Sequence, residues 1–143
     1  MIYKTFNILL VEDNAGDVGL IKEVFKECKM RHNLHVIMDG AEAIDFLKQQ
    51  NGYSDAVRPD LILLDLNLPK KHGFDILREM EKEPDLKRIP VIVLTTSESP
   101  DDIRKSYDLN ANSYINKPLD IERFMEIVKL IEEYWLKIIK LPQ

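Results

Sequence analysis

Side chains that could do chemistry stand at the ends of predicted strands, and they are Glu12, Asp13, Asp65, Thr95 and Lys117. Carboxylates brought close together repel one another, and a divalent cation among them removes that repulsion. Mg²⁺ suits such oxygen ligands, because it binds one or two protein carboxylates and keeps several waters beside a phosphate oxygen. In that setting an Asp carboxylate can attack phosphorus and become an aspartyl phosphate. The sequence therefore predicts phosphoryl transfer with Mg²⁺, if the fold gathers these residues.

The other two side chains fit the same chemistry. Transfer of a phosphoryl group requires its oxygens to be neutralised, which the Lys117 ammonium and the Thr95 hydroxyl can do beside a metal ion. Taken singly, each residue also has a plainer interpretation. Glu12 and Asp13 could form a solvated strand end, Asp65 could cap a loop, Lys117 could be a surface lysine and Thr95 could cap a helix. The coincidence of these residues at strand ends favours a site.

The predicted strands are the elements that must position these residues. Residues 61–64 are all apolar, without polar alternation, which is typical of a strand buried on both faces of a parallel sheet. Further strands are predicted over 6–11, 34–38, 89–96 and 113–116. In open α/β sheets the ligands sit beyond the carboxyl ends of the strands, so a carboxylate at Asp65 is well placed for chemistry.

Apolar residues recur at helical spacing between and after these strands. The first helix carries Val18, Ile21, Val24, Phe25 and Cys28, and later helices are predicted over 43–50, 74–83 and 101–109 and from residue 120 onward. Alternating strands and helices with short connectors predict a parallel sheet covered on both faces, because the crossovers are right-handed. We expect residues 1–143 to form a single α/β domain with a doubly wound, five-stranded parallel sheet.

Composition excludes several classes of protein. A net charge of -5 argues against direct nucleic-acid binding, and the absence of an apolar run of about 18 residues argues against a membrane span. Cys28 is the single cysteine, so an internal disulfide is impossible and a cytoplasmic location is expected. The three histidines, His32, His35 and His72, share no ligand spacing and are interpreted as ordinary surface or loop residues.

The ordered motifs resemble those of a known family. Val11-Glu12-Asp13-Asn14, Asp65 followed by Pro69, Thr95 and Lys117-Pro118 are similar to the signature of the receiver domain of two-component response regulators. The resemblance covers nearly the whole chain. It implies a flavodoxin-like fold with strand order 2-1-3-4-5. It also implies that the protein is not an enzyme for external substrates and catalyses only its own phosphorylation and dephosphorylation.

The resemblance further assigns roles to the residues at the strand ends. Asp65 would be the phosphoacceptor and would also contact Mg²⁺, with Asp13 as a direct ligand. Glu12 would act at the metal partly through water, and the backbone carbonyl of Asn67 would be a further ligand. Thr95 and Lys117 would hold the phosphoryl oxygens.

A switch is expected from the same resemblance, which places Tyr114 at the family's aromatic position. A phosphoryl group adds roughly -1.5 to -2 charge at neutral pH. We hypothesise that Thr95 moves toward it and that Tyr114 turns inward to fill the vacated space. The surface formed by the fourth predicted helix, the fifth strand and the fifth helix would then change for partner binding. The plainer interpretation makes Tyr114 a partly buried strand aromatic. The resemblance also suggests a cis bond at Lys117-Pro118, which the sequence cannot show.

Finer features are similar to single-domain regulators partnered with phytochrome-type histidine kinases. They include the loop 51–58, the run 64–69 and the tail that begins at Tyr134. The expected partners are such a sensor kinase and a downstream protein target, since no effector domain is expected after the last helix. The family's acidic residue before Gly73 is His72 in this chain, which puts only the behaviour of that loop in doubt.

The C-terminal segment carries apolar residues beyond those that a receiver core usually needs. We hypothesise that this segment forms a homodimer, and the alternative is that it folds back on its own core. The residues concerned are Tyr134, Trp135, Ile138, Ile139 and Leu141.

Two other functions compete with this interpretation. A phosphatase of the haloacid dehalogenase type also uses an Asp nucleophile and Mg²⁺, but it expects a carboxylate where this chain has Asn67. A pseudo-receiver would bind partners without phosphorylation, although every key position keeps a competent side chain.

Overall fold

Strands and helices alternate along most of the chain in this computed structural model, which describes residues 5–117 and 120–138, with side chains described through residue 133. The strands are β1 (Phe6–Val11), β2 (His32–Ile37), β3 (Leu61–Leu64), β4 (Val91–Thr95) and β5 (Ser113–Asn116). The helices are α1 (Ala15–Lys26), α2 (Gly40–Lys48), α3 (Gly73–Glu81), α4 (Pro84–Lys87), α5 (Pro100–Asp108) and α6 (Ile121–Ile138). None of the helices in the described part of the chain is long and apolar enough to cross a lipid bilayer.

The strands form one parallel sheet in the order β2-β1-β3-β4-β5. The central strand β3 pairs on one side with β1, where Leu10 lies opposite Leu63, and on the other side with β4, where Leu63 lies opposite Ile92. The predicted five-stranded, doubly wound fold with strand order 2-1-3-4-5 is therefore confirmed. Since all strands run in the same direction, their carboxyl ends meet along one edge of the sheet.

The sheet is buried on both faces, because alternate residues of the central strands point to opposite sides. On one side, Leu9 of β1 and Ile62 of β3 belong to an apolar cluster with residues of α2, α3 and α4. On the other side, Leu10 and Leu63 pack with α1 and α6, including Phe25. The continuous apolar runs of β1 and β3 follow from this two-sided burial.

Polar side chains cap several helices at the edge where the strands end. Asn14, Asp39 and Ser99 accept hydrogen bonds from backbone N–H groups in the first turns of α1, α2 and α5. His72 caps α3: its Nδ1 accepts from the N–H of Phe74 at 3.0 Å, and the Asp75 carboxylate accepts from the N–H of His72 at 3.1 Å. His72 lies in the loop that precedes α3, as interpreted from the sequence, and its imidazole nitrogen there replaces the usual acceptor of a capping box.

Several elements differ from the prediction, including α2, which begins at Gly40, and β4, which begins at Val91. β2 was predicted over 34–38 but begins at His32, because this edge strand is only half-buried and its first residues are polar. α4 was not predicted, since it is a single turn that starts at Pro84 and buries only Leu86. The predicted alternation of five strands and five helices therefore omits one short helix.

Candidate functional site

Four of the predicted site residues lie at the carboxyl edge of the sheet and are buried there. Glu12 follows β1, Asp65 follows β3, Thr95 ends β4 and Lys117 follows β5. Glu12 and Thr95 are 0% exposed, and Asp65 and Lys117 are 8% exposed. Burial of charged side chains costs free energy unless they are paired, so the fold tolerates these residues only because they compensate one another.

Three carboxylates at this edge form one acidic cluster. Ligand oxygens of Glu12, Asp13 and Asp65 all lie within 4.8 Å of one another. Glu12 and Asp65 are buried, whereas Asp13 is exposed and gives the cluster an opening to solvent. Carboxylate oxygens at this separation are the hard ligands that Mg²⁺ or a similar divalent cation prefers.

The Lys117 ammonium contacts three carboxylates. Its Nζ donates a short hydrogen bond to Oε1 of Glu12, lies 2.9 Å from Oδ2 of Asp17 and lies 3.3 Å from Oδ2 of Asp65. The side chain of Lys117 is 5% exposed, so these contacts are shielded from water. Asp17, in the first turn of α1, was not predicted as a site residue.

The pKa values at this edge show the electrostatic conflict that burial creates. Burial raises the pKa of Glu12 to about 7, with a further rise from the Asp65 charge, and the hydrogen bond from Lys117 only partly opposes this. Burial by itself lowers the pKa of Lys117, but the hydrogen bonds to Glu12 and Asp17 and the charge of Asp65 raise it overall. Lys117 therefore stays charged, while burial disfavours the charged form of the Glu12 carboxylate.

The loop after Asp65 is held tightly by its own backbone. Oδ1 of Asp65 accepts from the N–H of Leu66 at 2.7 Å, and the N–H of Gly73 donates to the carbonyl of Leu66 at 2.8 Å. A Cβ atom at position 73 would lie 2.7 Å from the backbone oxygen of Asp65, closer than real Cβ contacts allow. Only glycine therefore permits α3 to start so close to Asp65.

Thr95 and Tyr114 both contact the loop that follows β4. The hydroxyl of Thr95 accepts from the N–H of Ser97 at 3.4 Å, and the backbone oxygen of Thr95 accepts from the N–H of Lys117 at 2.8 Å. The Tyr114 hydroxyl donates to the carbonyl of Ser97 at 2.8 Å, and burial raises its pKa. Asn116 donates to the same carbonyl at 2.7 Å. Ser97 was not predicted as a site residue, and it links Thr95 to Tyr114.

The other predicted site residues lie in different surroundings. Asn67 lies in the loop two residues after Asp65 and is exposed. The predicted dimer residues Tyr134, Trp135 and Ile138 fall within α6, but their side chains lie beyond the last described side chain. Residues 139 and 141 and the Lys117-Pro118 bond fall outside the described residues.

Fold and site together define a class of protein. Residues 8–129 match the family model of the response regulator receiver domain. The chain belongs to the response regulator receiver domain family, which places it among the signal-receiving proteins of two-component systems. The resemblance predicted from the ordered motifs is thereby confirmed.

Within that family the chain is similar to phytochrome response regulators. It is 48% identical to the response regulator Rcp1 of Synechocystis, and the match covers 94% of this chain and 92% of that protein. The crystal structure of the Mn²⁺-bound form of Rcp1 gives a TM-score of 0.83 at 47% identity and covers 96% of this chain and 99% of that one. The phosphorylated cyanobacterial phytochrome response regulator RcpA gives a TM-score of 0.84 at 48% identity, with coverage of 98% and 100%.

Proposed function

We propose that Asp65 is the phosphoacceptor of this response regulator and that it receives a phosphoryl group from a sensor histidine kinase. The observation that carries the proposal is the position of the Asp65 carboxylate, which lies within 4.8 Å of Glu12 and Asp13 and 3.3 Å from the Lys117 ammonium. It is 8% exposed, which leaves a narrow approach for a phosphodonor at the edge of the sheet.

The donor set fits a divalent cation, and we propose Mg²⁺. Asp13, Glu12 and Asp65 would hold the ion, with the backbone carbonyl of Asn67 as a further ligand. The ligand oxygens of these carboxylates lie within 4.8 Å of one another, and the charge of Asp65 adds to burial in raising the pKa of Glu12 to about 7, so a cation at this position would favour the charged carboxylates. When bound, the ion would supply two positive charges to the carboxylates and to the phosphoryl oxygens.

The chemistry requires few protein groups. An oxygen of Asp65 forms a bond to phosphorus while the bond from phosphorus to the donor breaks, and the leaving group keeps that electron pair. For a phosphohistidine donor, the leaving atom is an imidazole nitrogen. The Lys117 ammonium and the Thr95 hydroxyl stabilise the phosphoryl oxygens. In hydrolysis, water attacks phosphorus, inorganic phosphate leaves and the Asp65 carboxylate returns.

The contacts of Ser97 support a route by which the phosphoryl group reaches the surface. Thr95 accepts a hydrogen bond from the N–H of Ser97, and Tyr114 donates to its carbonyl. If Thr95 shifts to bind a phosphoryl oxygen, the loop at Ser97 and the Tyr114 ring must adjust with it. We propose that this changes the surface of α5, β5 and α6 for a downstream protein target.

The type of partner kinase, the cellular location and the oligomeric state are further proposals. Similarity to the phytochrome response regulator RcpA supports a phytochrome-type histidine kinase as the partner. A cytoplasmic location and a homodimer through the C-terminal part of α6 and the tail fit that role. Catalysis would be confined to phosphorylation and dephosphorylation of the chain itself, which supports signalling and not turnover of an external substrate.

Incubation with a small phosphodonor and Mg²⁺, followed by intact mass spectrometry, tests the proposal. We expect one phosphoryl adduct that hydroxylamine removes, as an acyl phosphate requires. Asp65→Asn should remove the adduct completely. Asp60→Asn is the matched control, because Asp60 stands at the opposite end of β3, where it accepts from the N–H of Asn7, and this variant should be phosphorylated normally.

The same experiment separates the competing functions. A protein that binds partners without phosphorylation would give no adduct, and a phosphatase would consume the donor while no adduct accumulates. Family membership and the amide at Asn67 argue against the phosphatase. An adduct that persists in Asp65→Asn would contradict the assignment of the acceptor.

A further inference from the structure

Asp17 contacts the site from α1 and lies outside the acidic cluster. Its Oδ2 is 2.9 Å from Nζ of Lys117, which is closer than the Asp65 oxygen at 3.3 Å. The side chain of Asp17 is 21% exposed, so this ion pair is largely shielded from solvent. Its backbone N–H is fixed by Oδ1 of Asn14 at 2.9 Å, which anchors the residue at the start of α1.

The three carboxylate partners of Lys117 are not equivalent. An ammonium group has three N–H donors, and here Glu12, Asp17 and Asp65 can accept all of them. Glu12 and Asp65 also belong to the cluster that would hold a divalent cation, so the ammonium and the cation compete for these carboxylates. Asp17 does not belong to that cluster and can keep its contact with Lys117 while the cation binds.

We propose that Asp17 is a positioning residue: it retains the Lys117 ammonium at the edge of the sheet when Glu12 and Asp65 turn toward the cation and the phosphoryl group. This inference rests on the proposed function of Asp65. Without Asp17, the ammonium has only Glu12 and Asp65 as partners and opposes the cation more strongly. Removal of Asp17 therefore weakens cation binding through Lys117 and leaves the ammonium less well placed for the phosphoryl oxygens.

Mg²⁺ binding to the unphosphorylated protein gives the first test, measured by isothermal titration calorimetry. We expect Asp17→Asn to raise the Mg²⁺ dissociation constant about fivefold, the lower end of typical coupling between two binding contacts, and Asp17→Glu to restore most of the affinity. Glu23→Gln is the matched control, because Glu23 is also on α1 and pairs with Lys26 at the exposed surface. This control should change the dissociation constant less than twofold.

A double-mutant cycle separates the positioning role from a plain loss of negative charge. Lys117→Met should bind Mg²⁺ more tightly than the wild type, because the competing ammonium is gone. In that background we expect Asp17→Asn to have no further effect. An equal loss of affinity with and without Lys117 would overturn the proposal, and so would wild-type affinity in Asp17→Asn or failure of Asp17→Glu to restore binding.

Phosphorylation by a small phosphodonor gives the second test. For Asp17→Asn we expect a higher Mg²⁺ concentration at half-maximal rate and a lower rate at saturating Mg²⁺, whereas a merely structural role would leave both unchanged in a variant that melts at the wild-type temperature. If the wild type gives no adduct at any Mg²⁺ concentration, the function proposed for Asp65 fails. The calorimetric cycle still decides whether Asp17 positions Lys117.

Discussion

Two carboxylates in this protein, Glu12 and Glu132, lie in protected positions but in opposite electrostatic situations. Glu12 lies at the carboxyl edge of the sheet beside other acids. Glu132 extends from α6 to the end of α1, where its Oε2 accepts from Sγ of Cys28 at 2.7 Å and from the N–H groups of Lys29 at 2.7 Å and Met30 at 3.2 Å. Burial raises the pKa of Glu12 to about 7. At Glu132 burial also acts to raise the pKa, but these donors outweigh it and lower the pKa overall.

The difference between these carboxylates is that the fold satisfies the charge of one and leaves the charge of the other incompletely paired. The charge of Glu132 is satisfied by donors that the fold itself fixes, so it joins α6 to α1 and needs no ligand. The charge of Glu12 is opposed by Asp65 and only partly satisfied by Lys117. We therefore expect a cation to bind beside Glu12, whereas the contacts of Glu132 stabilise the fold.

Among the predicted changes in the free energy of unfolding, the largest should come from Mg²⁺ binding at the acidic cluster. At a hundredfold excess over its dissociation constant, we expect Mg²⁺ to raise the free energy of unfolding by about 2.7 kcal/mol, because it binds only the folded state. Urea denaturation with Mg²⁺ or with a chelator measures this. Asp13→Asn should lose most of the effect and Glu132→Gln should keep it. Equal stabilisation of Asp13→Asn would show that the ion binds elsewhere.

Loss of the Glu132 carboxylate should have the next largest effect. Glu132→Ala removes the acceptor of three hydrogen bonds, and we expect a loss of about 2 kcal/mol in the free energy of unfolding. Glu132→Gln should lose less, since an amide oxygen still accepts. Urea denaturation at neutral pH measures both variants. The exposed neighbour in Glu133→Ala should change stability by less than about 0.5 kcal/mol, and an equal loss there would contradict a specific role for Glu132.

The rate at which the Cys28 thiol is alkylated, measured against pH, should report on its contact with Glu132. Burial and the hydrogen bond to Glu132 raise its pKa from 9.0 to about 11. Alkylation of the folded protein at pH 8 should therefore be about a hundredfold slower than that of the unfolded chain, since only the thiolate reacts and its fraction falls by that factor. The protonated thiol favours the folded state, so its contribution to stability is complete below pH 9 and declines as the pH rises toward 11.

The pH profile of alkylation, and not the rate at one pH, is the measurement that isolates this effect from access to the thiol. Glu132→Gln should move the midpoint of the profile toward the ordinary pKa of a thiol. A midpoint near 9 in the wild-type protein would mean that Glu132 does not hold the thiol in its protonated form.

Replacement of Cys28 itself should have the smallest effect. In Cys28→Ala, Glu132 keeps its backbone donors at Lys29 and Met30. We therefore expect a loss of about 1 kcal/mol or less in the free energy of unfolding, measured by urea denaturation beside Cys28→Ser, which retains a donor. A loss as large as that of Glu132→Ala would mean that the thiol carries most of the contact.

Much of this fold could be predicted from the sequence because the central strands are buried on both faces. The apolar run at Leu61–Leu64 marks β3 unambiguously, and β1 coincides with its prediction. The edge strand β2 was misplaced because half of its surface is open to solvent, so polar residues such as His32 and Asn33 can begin it. α4 was missed because a single turn has no periodicity to detect.

The site residues that stand at the ends of strands could be predicted from the sequence. Glu12, Asp65, Thr95 and Lys117 each follow or end a strand that was predicted from the sequence, and a parallel sheet brings such ends together. Asp17 was missed because it lies inside a helix, where an acidic residue in the first turn is common. Cys28 and Glu132 are 104 positions apart, and no local pattern predicts their contact.

The close approach of Gly73 to the backbone of Asp65 limits how this receiver can be redesigned. A library that varies position 73 should recover glycine alone, because even the methyl group of alanine would lie too close to the backbone of Asp65 and Leu66. Loop grafts meant to retune the lifetime of the signal must therefore leave this residue in place and vary the exposed stretch ahead of it.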